Sequence, residues 1–308
     1  MKSNSCIKQT LSIFLIVISI FFSVFCKNLL AANIVDKIHL TLQQQESISL
    51  IKNAIRSATI GPAQISLLDE ATLQLPDNFL FIPKKEAAGF EKAIGNVAND
   101  PELVGVIISQ NDNLRWYLQI DFINAGYVKE DDAKNFDIND LLNTIKKMTT
   151  EENNLRISKG VAPIYVTGWI QPPTYNFTDH QLTLSINVNE DNDKVANYTT
   201  YLFGKDGFFR INLVTPETFI TNDKQYSTLI QNSIHFNKGK LYTDYVKNTD
   251  RTAEFGLTAL ITGVIAKKLG ILTIIGLFFA KTWKMMLLIF FIFFTKIKKI
   301  FKIVFHVR

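Results

Sequence analysis

The stretch PIYVTGWIQPPTYNFTDHQLTLSINVNEDNDKVANYTTYLFGKDGFFRINLV, from Pro163 to Val214, decides the fold class. Four runs rich in Val, Ile, Thr, Tyr and Phe are separated by FTDH, NEDND and KDG, each a cluster of residues that tolerate tight turns. Short β-prone runs joined by such turns read as an antiparallel meander, because a parallel pair would need a crossover of a dozen residues or more.

Working outward, helices flank this meander singly. TPETFITNDKQYSTLIQNSI, after it, reads as an amphipathic helix. FDINDLLNTIKKMTTEENNLRISKG, before it, has Asp137 as N-cap, Leu141, Leu142 and Ile145 at helical spacing, and Gly160 as a stop. LVGVIISQNDNLRWYLQIDF reads as a hairpin turning at Asn111 to Asn113, and KKEAAGFEKAIGN as a helix stopped by Gly95–Asn96. From Gly61 to Pro83, Gly, Pro and Asp punctuate short alternating runs, which signals strands and tight turns. QQQESISLIKNAIRSA ahead of them carries Ile48, Ile51 and Ile55 as a helical stripe. Strands with helices interposed singly or in pairs predict an α+β fold, an antiparallel sheet with packed helices.

The two ends do not fit a water-soluble core. Lys2 and Lys8 precede the uncharged run Leu11 to Cys26, and Ala31 and Ala32 follow, so residues 1–32 read as a signal peptide or an uncleaved signal anchor. Phe25 is too bulky for the small-residue run that precedes a lipidated cysteine, which disfavours a lipoprotein reading of Cys26. With Cys6 also in the leader, the mature chain contains no cysteine and rests on its core alone. Residues 33–254 read as the exported α+β domain, and residues 255–308 as a C-terminal transmembrane segment with a basic cytoplasmic tail.

Charge supports this division. The formal +5 resolves into +3 for residues 1–32, −7 for 33–254 and +9 for 255–308, so the folded part is mildly acidic. A nucleic-acid binder needs basic residues across a folded face, and this body does not supply them. Between Phe255 and Phe294, uncharged runs of 12, 12 and 10 residues are separated by Lys267–Lys268 and by Lys281 and Lys284. Each run is shorter than the roughly 20 residues a span needs, so any span carries lysines. A central lysine costs about 2.5 to 3.5 kcal/mol on insertion scales, which many Leu, Ile, Phe and Val neighbours can offset.

Three arrangements fit: one tilted span near 269–294, a span near 255–280 followed by an interfacial helix, or a short hairpin with KTWK at its tip. Lys281, Lys284, Lys296, Lys298, Lys299 and Lys302 share one helical face of roughly 160°, suited to anionic headgroups. The basic tail assigns the cytoplasmic side to the C-terminus. The expected address is therefore the bacterial inner membrane, with the domain in the periplasm and the bilayer as its first partner.

Chemistry is harder to find. There is no G-x-S-x-G, no phosphate-cradling glycine loop, and no metal spacing among His39, His180, His235 and His306, so no catalytic residue, metal or cofactor is expected. Two features are candidate ligand-binding elements: the acidic run Glu130, Asp131 and Asp132, and the aromatic segment with Trp169 and Tyr175 around the Pro172–Pro173 pair. A solvated turn leading into the Asp137-capped helix is the blander reading of the first, and edge-strand packing that of the second. NEDND reads as a turn. The expected function is binding of a ligand or an envelope protein partner. The alternative is a periplasmic enzyme using carboxylates around Asp131 and Asp132, and an anchor that oligomerises in the bilayer is a third arrangement.

The segments GPAQISL, ATLQLP, FLFIP, GYVKEDDAKNFD, GWIQPPTYN, NYTTYLFGKDGFFRINLVT, GKLYTDY and AKKLG occur in this order from Gly61 onward. In this the chain resembles the bacterial family called domain of unknown function 2167, described as uncharacterised membrane-anchored proteins. The resemblance implies an exported domain and a C-terminal membrane segment, and no activity. The tail departs from the family in its richness in Phe and Lys. The closing order GKDGFFRINLVT, helix, NSIHF also resembles the architecture of exported proteins related to the photosystem II extrinsic subunit PsbP.

Overall fold

A computed structural model describes residues 42–96, 100–110, 116–158, 160–190 and 193–262. The leader, the lysine-bearing tail from residue 263, the turn at Asn111 to Asn113 and the Asp191–Asn192 part of NEDND lie outside the described residues. Among the described residues no helix is long and apolar enough to cross a membrane.

In chain order the elements are α1 (Leu42–Ser57), β1 (Thr59–Ile60), β2 (Ala63–Leu67), β3 (Ala71–Leu75), β4 (Phe79–Pro83), α2 (Lys84–Ala93), β5 (Leu103–Ser109) and β6 (Tyr117–Ile123). Then follow α3 (Ile138–Ser158), β7 (Ile164–Asn176), β8 (Gln181–Glu190), β9 (Asp193–Phe203), β10 (Phe208–Pro216), α4 (Ile220–Asn232), β11 (Ile234–Phe236) and α5 (Leu257–Ile261). An eight-stranded sheet runs β1-β4-β5-β6-β10-β9-β8-β7, and a three-stranded sheet runs β11-β3-β2. Every pairing in both sheets is antiparallel, so the α+β reading with packed helices holds.

Period-two alternation explains which side of the large sheet is which. Phe209, Ile211 and Leu213 on β10, with Leu118, Ile120 and Phe122 on β6, point to one face and meet the small sheet and α4 in the main core. On the other face, β4 and β5 present Leu80, Ile82, Val106 and Ile108 to α1 and α2, forming a second core around Phe90. At the far edge α3 lies on β7. The buried amide of Asn153 fixes that contact, donating to the Ile164 carbonyl at 2.8 Å and accepting from its N–H at 2.9 Å.

Helix ends follow local chemistry. Asp137 Oδ1 accepts from the N–H groups of Asn139 and Asp140, which caps α3 as its sequence predicts. At the end of α2, Gly95 N–H reaches the Lys92 carbonyl and Asn96 N–H the Glu91 carbonyl, with Gly95 at φ +88°. This is the double bond pattern of a Schellman stop. The compact unit extends to Thr262, beyond the boundary read at residue 254, because Leu257, Leu260 and Ile261 of α5 are buried in it.

Candidate functional site

Helices cover the two ends of the α1–α2 face of the large sheet but not its middle. There the alternation that sends Phe209, Ile211 and Leu213 inward turns Arg210, Asn212 and Val214 the other way. The register aligns Asn212 with Gln119 on β6 and Thr199 on β9, and Val214 with Tyr117 and Asn197. The floor is therefore polar, and the ends of α2 and α3 wall it. The cleft has a volume of about 400 Å³; Glu91 and Asn96 line it on one side, Glu152 and Arg156 on the other.

Glu91 is the residue least explained by the fold. It is 5% exposed, and while its Oε2 accepts from Asn96 Nδ2, its Oε1 has no hydrogen-bond partner. An unsatisfied buried acceptor costs about 1–3 kcal/mol. Burial holds this carboxyl up at about 7, above its ordinary 4.5; Asp121 and Asp100 add to the rise and the bond from Asn96 opposes it. Asn96 also donates to Tyr117 Oη at 3.0 Å, so the Schellman turn delivers one amide to both groups. Burial pushes the Tyr117 phenol far up, and it stays a neutral hydroxyl.

The two arginines on this face are paired within it. Arg156 donates to Glu190 Oε1 at 2.7 Å and, through Nε, to the Ala162 carbonyl at 2.6 Å. Arg210 bridges the fully buried Asp121 at 2.8 Å and Asp100 at 3.3 Å. On the floor Thr199 Oγ1 donates to Asn212 Oδ1 at 2.9 Å. Asn212 Nδ2 stands 3.5 Å from Asn197 Oδ1, the limit of a hydrogen bond. The arrangement can bind, orient and exchange a proton at Glu91.

Glu130, Asp131, Asp132, Trp169 and Tyr175, singled out by sequence, do not line this cleft, and the lysines of the tail lie outside the described residues. Glu130 and Tyr175 are brought together: Tyr175 Oη donates to Glu130 Oε2 at 2.5 Å, and His180 Nδ1 lies 3.1 Å from the same oxygen. His180 stacks on Tyr242, Tyr242 on Tyr127 and Tyr127 on Tyr245, with ring centres 4.2, 4.4 and 3.9 Å apart. That column holds the segment after β11 against the sheet. Asp132 caps α5, accepting from Leu257 N–H at 3.1 Å and Thr258 N–H at 2.9 Å. Asp131 is exposed at the start of a 3₁₀ turn, and Trp169 donates to the Ile138 carbonyl at 3.1 Å across the α3–β7 contact. Asp131 and Asp132 therefore do not converge. No cluster of His, Cys, Asp and Glu that could hold a metal occurs among the described residues.

Fold and site together define an antiparallel α+β domain with a polar cleft between two helices. The chain belongs to the family described as Protein of unknown function (DUF2167), whose model matches residues 59–291. The solution structure of cyanobacterial PsbP (CyanoP) from Synechocystis sp. PCC 6803 is similar at 12% identity and a TM-score of 0.38, covering 57% of this chain and 92% of that one. The Saccharomyces cerevisiae Ran-binding protein Mog1p is similar at 10% identity and a TM-score of 0.30, covering 57% of this chain and 96% of that one. No curated protein matches the chain.

Proposed function

We propose that this protein is a ligand-binding domain of the bacterial envelope, exported to the periplasm and tethered to the inner membrane by its C-terminal segment. Its working site is the cleft between α2 and α3. The observation that carries the reading is Glu91: a residue of the cleft wall whose carboxyl is buried with one oxygen unpartnered, among lining residues that include amides and a phenol. Folding alone favours an apolar residue there, and a group held at such a cost is expected where a ligand completes its bonds. The address rests on the leader, the basic tail and the acidic body, and an envelope protein is a further partner that this address would supply.

Asp132 and Asp131 give the enzymatic alternative no support, since one caps a helix and the other faces solvent. The test is a thermal-unfolding screen of the full chain in detergent micelles against pooled small polar metabolites, beside Asn212→Leu. A pool that raises the midpoint of the wild type and not of the variant supports the reading. Shifts equal in both proteins, or none in either, count against the cleft.

A further inference from the structure

We infer that the cleft selects a small organic cation, a primary amine that also carries a hydroxyl or carbonyl, and that its ammonium seats on Glu91. This rests on the reading of the cleft as a binding site. Among the lining residues four carboxylates, on Glu91, Asp100, Glu152 and Glu190, outnumber one guanidinium, that of Arg156, and Arg210 beside them is shared between Asp100 and the buried Asp121. Arg156 is already committed to Glu190 and the Ala162 carbonyl, so an anion would meet excess negative charge with the guanidinium turned to other acceptors.

A cation meets the reverse. Glu91 Oε1 is an acceptor with no donor, and an ammonium supplies three N–H donors and the charge that favours the ionised carboxylate. A quaternary ammonium is disfavoured, because it has no N–H and Tyr117 is the lone aromatic ring among the lining residues. The far end of the ligand meets Asn197 and Asn212, whose mutual contact at 3.5 Å leaves donor and acceptor capacity for a hydroxyl or carbonyl. Val188, Val195 and Val214 line the cleft as surface for a short alkyl linker.

Binding should rise with pH, since the cation needs Glu91 ionised. The groups set around Glu91 are Asp100 in the loop before β5, Tyr117 and Asp121 on β6, Arg210 on β10, Glu190 on β8, and Glu152 and Arg156 on α3. Of these, burial, Asp121 and Asp100 raise the carboxyl, so the neutral form prevails below about 7.

The experiment titrates the full-length chain in uncharged detergent micelles with 4-aminobutan-1-ol, butane-1,4-diol and 4-hydroxybutanoate, following the side-chain amides of Asn197 and Asn212 by NMR. The amine is expected to bind at least tenfold more tightly than the diol or the anion and to gain about tenfold from pH 6 to pH 8. Glu91→Gln is expected to lose both effects while the amide spectrum stays folded. Equal binding of amine and diol, preference for the anion, or an unchanged Glu91→Gln overturns the cation assignment. If no probe binds while a metabolite pool still stabilises the wild type over Asn212→Leu, the assignment fails and the cleft reading stands. If neither probe nor pool acts, the cleft reading has failed.

Discussion

Replacing Glu91 by Gln should make this protein more stable at pH 8 and leave it nearly unchanged at pH 4.5. In the folded chain the carboxyl is held at about 7 against an ordinary 4.5. Between these values the folded state binds more protons than the unfolded one, so stability falls as pH rises through the window. At about 1.4 kcal/mol per tenfold change in proton affinity, the full loss above about pH 7 is about 3 kcal/mol. Gln keeps the shape and an acceptor for Asn96 but has no charge to bury, and the variant escapes that loss. The assay is urea unfolding of the full chain across pH 4.5 to 8, followed by emission of Trp116, which is buried and stacked on Tyr226 at 4.7 Å. A wild type whose midpoint does not fall over this range relative to Glu91→Gln would refute the claim that an ionised Glu91 is unfavourable in the cleft.

Other outcomes follow from individual contacts. Asp132→Ala removes the acceptor for Leu257 and Thr258 and should cost about 1 kcal/mol, seen as faster amide exchange at those two residues with the cleft unaltered. Gly105→Ala places a Cβ 2.5 Å from the Phe81 ring and 2.7 Å from the Ile82 carbonyl, beside the bulge in β5, and should lower stability by about 1–3 kcal/mol in the same urea assay. In spheroplasts, protease should remove a tag in the NEDND loop and spare one on the C-terminus; a protected loop or an exposed tail would contradict the exported, tail-inside topology.

The fold was legible where local chemistry acts alone. The meander, the Asp137 cap and the Gly95–Asn96 stop are written in a few adjacent residues. The cleft was not, for a geometric reason. Alternation on β6 and β10 separates Leu118 and Ile120 from Tyr117 and Gln119, and Ile211 and Leu213 from Arg210 and Asn212, but says nothing about which polar residue stands beside which. Register supplies that, and it brings Tyr117 of β6 into one row with Asn197 and Val214 of the β9–β10 hairpin, some eighty residues further along the chain. Glu91 reads in KKEAAGFEKAIGN as one more helix-surface charge, and only the position of α2 over β5 buries it. Glu130, Asp131 and Asp132 attract attention because they are adjacent in sequence. Adjacency does not make them converge: Glu130 accepts from Tyr175, Asp132 caps a helix, and Asp131 is exposed.

The most direct test of the cleft as the working site is native mass spectrometry of the full chain released from its membrane in mild detergent, wild type beside Asn212→Leu. Leucine branches at Cγ as asparagine does, removes the amide that meets Thr199 and Asn197, and lines the floor with hydrocarbon. The account predicts a bound small molecule on the wild type and a bare, folded variant. The same bound mass on both proteins would place the ligand elsewhere and contradict it.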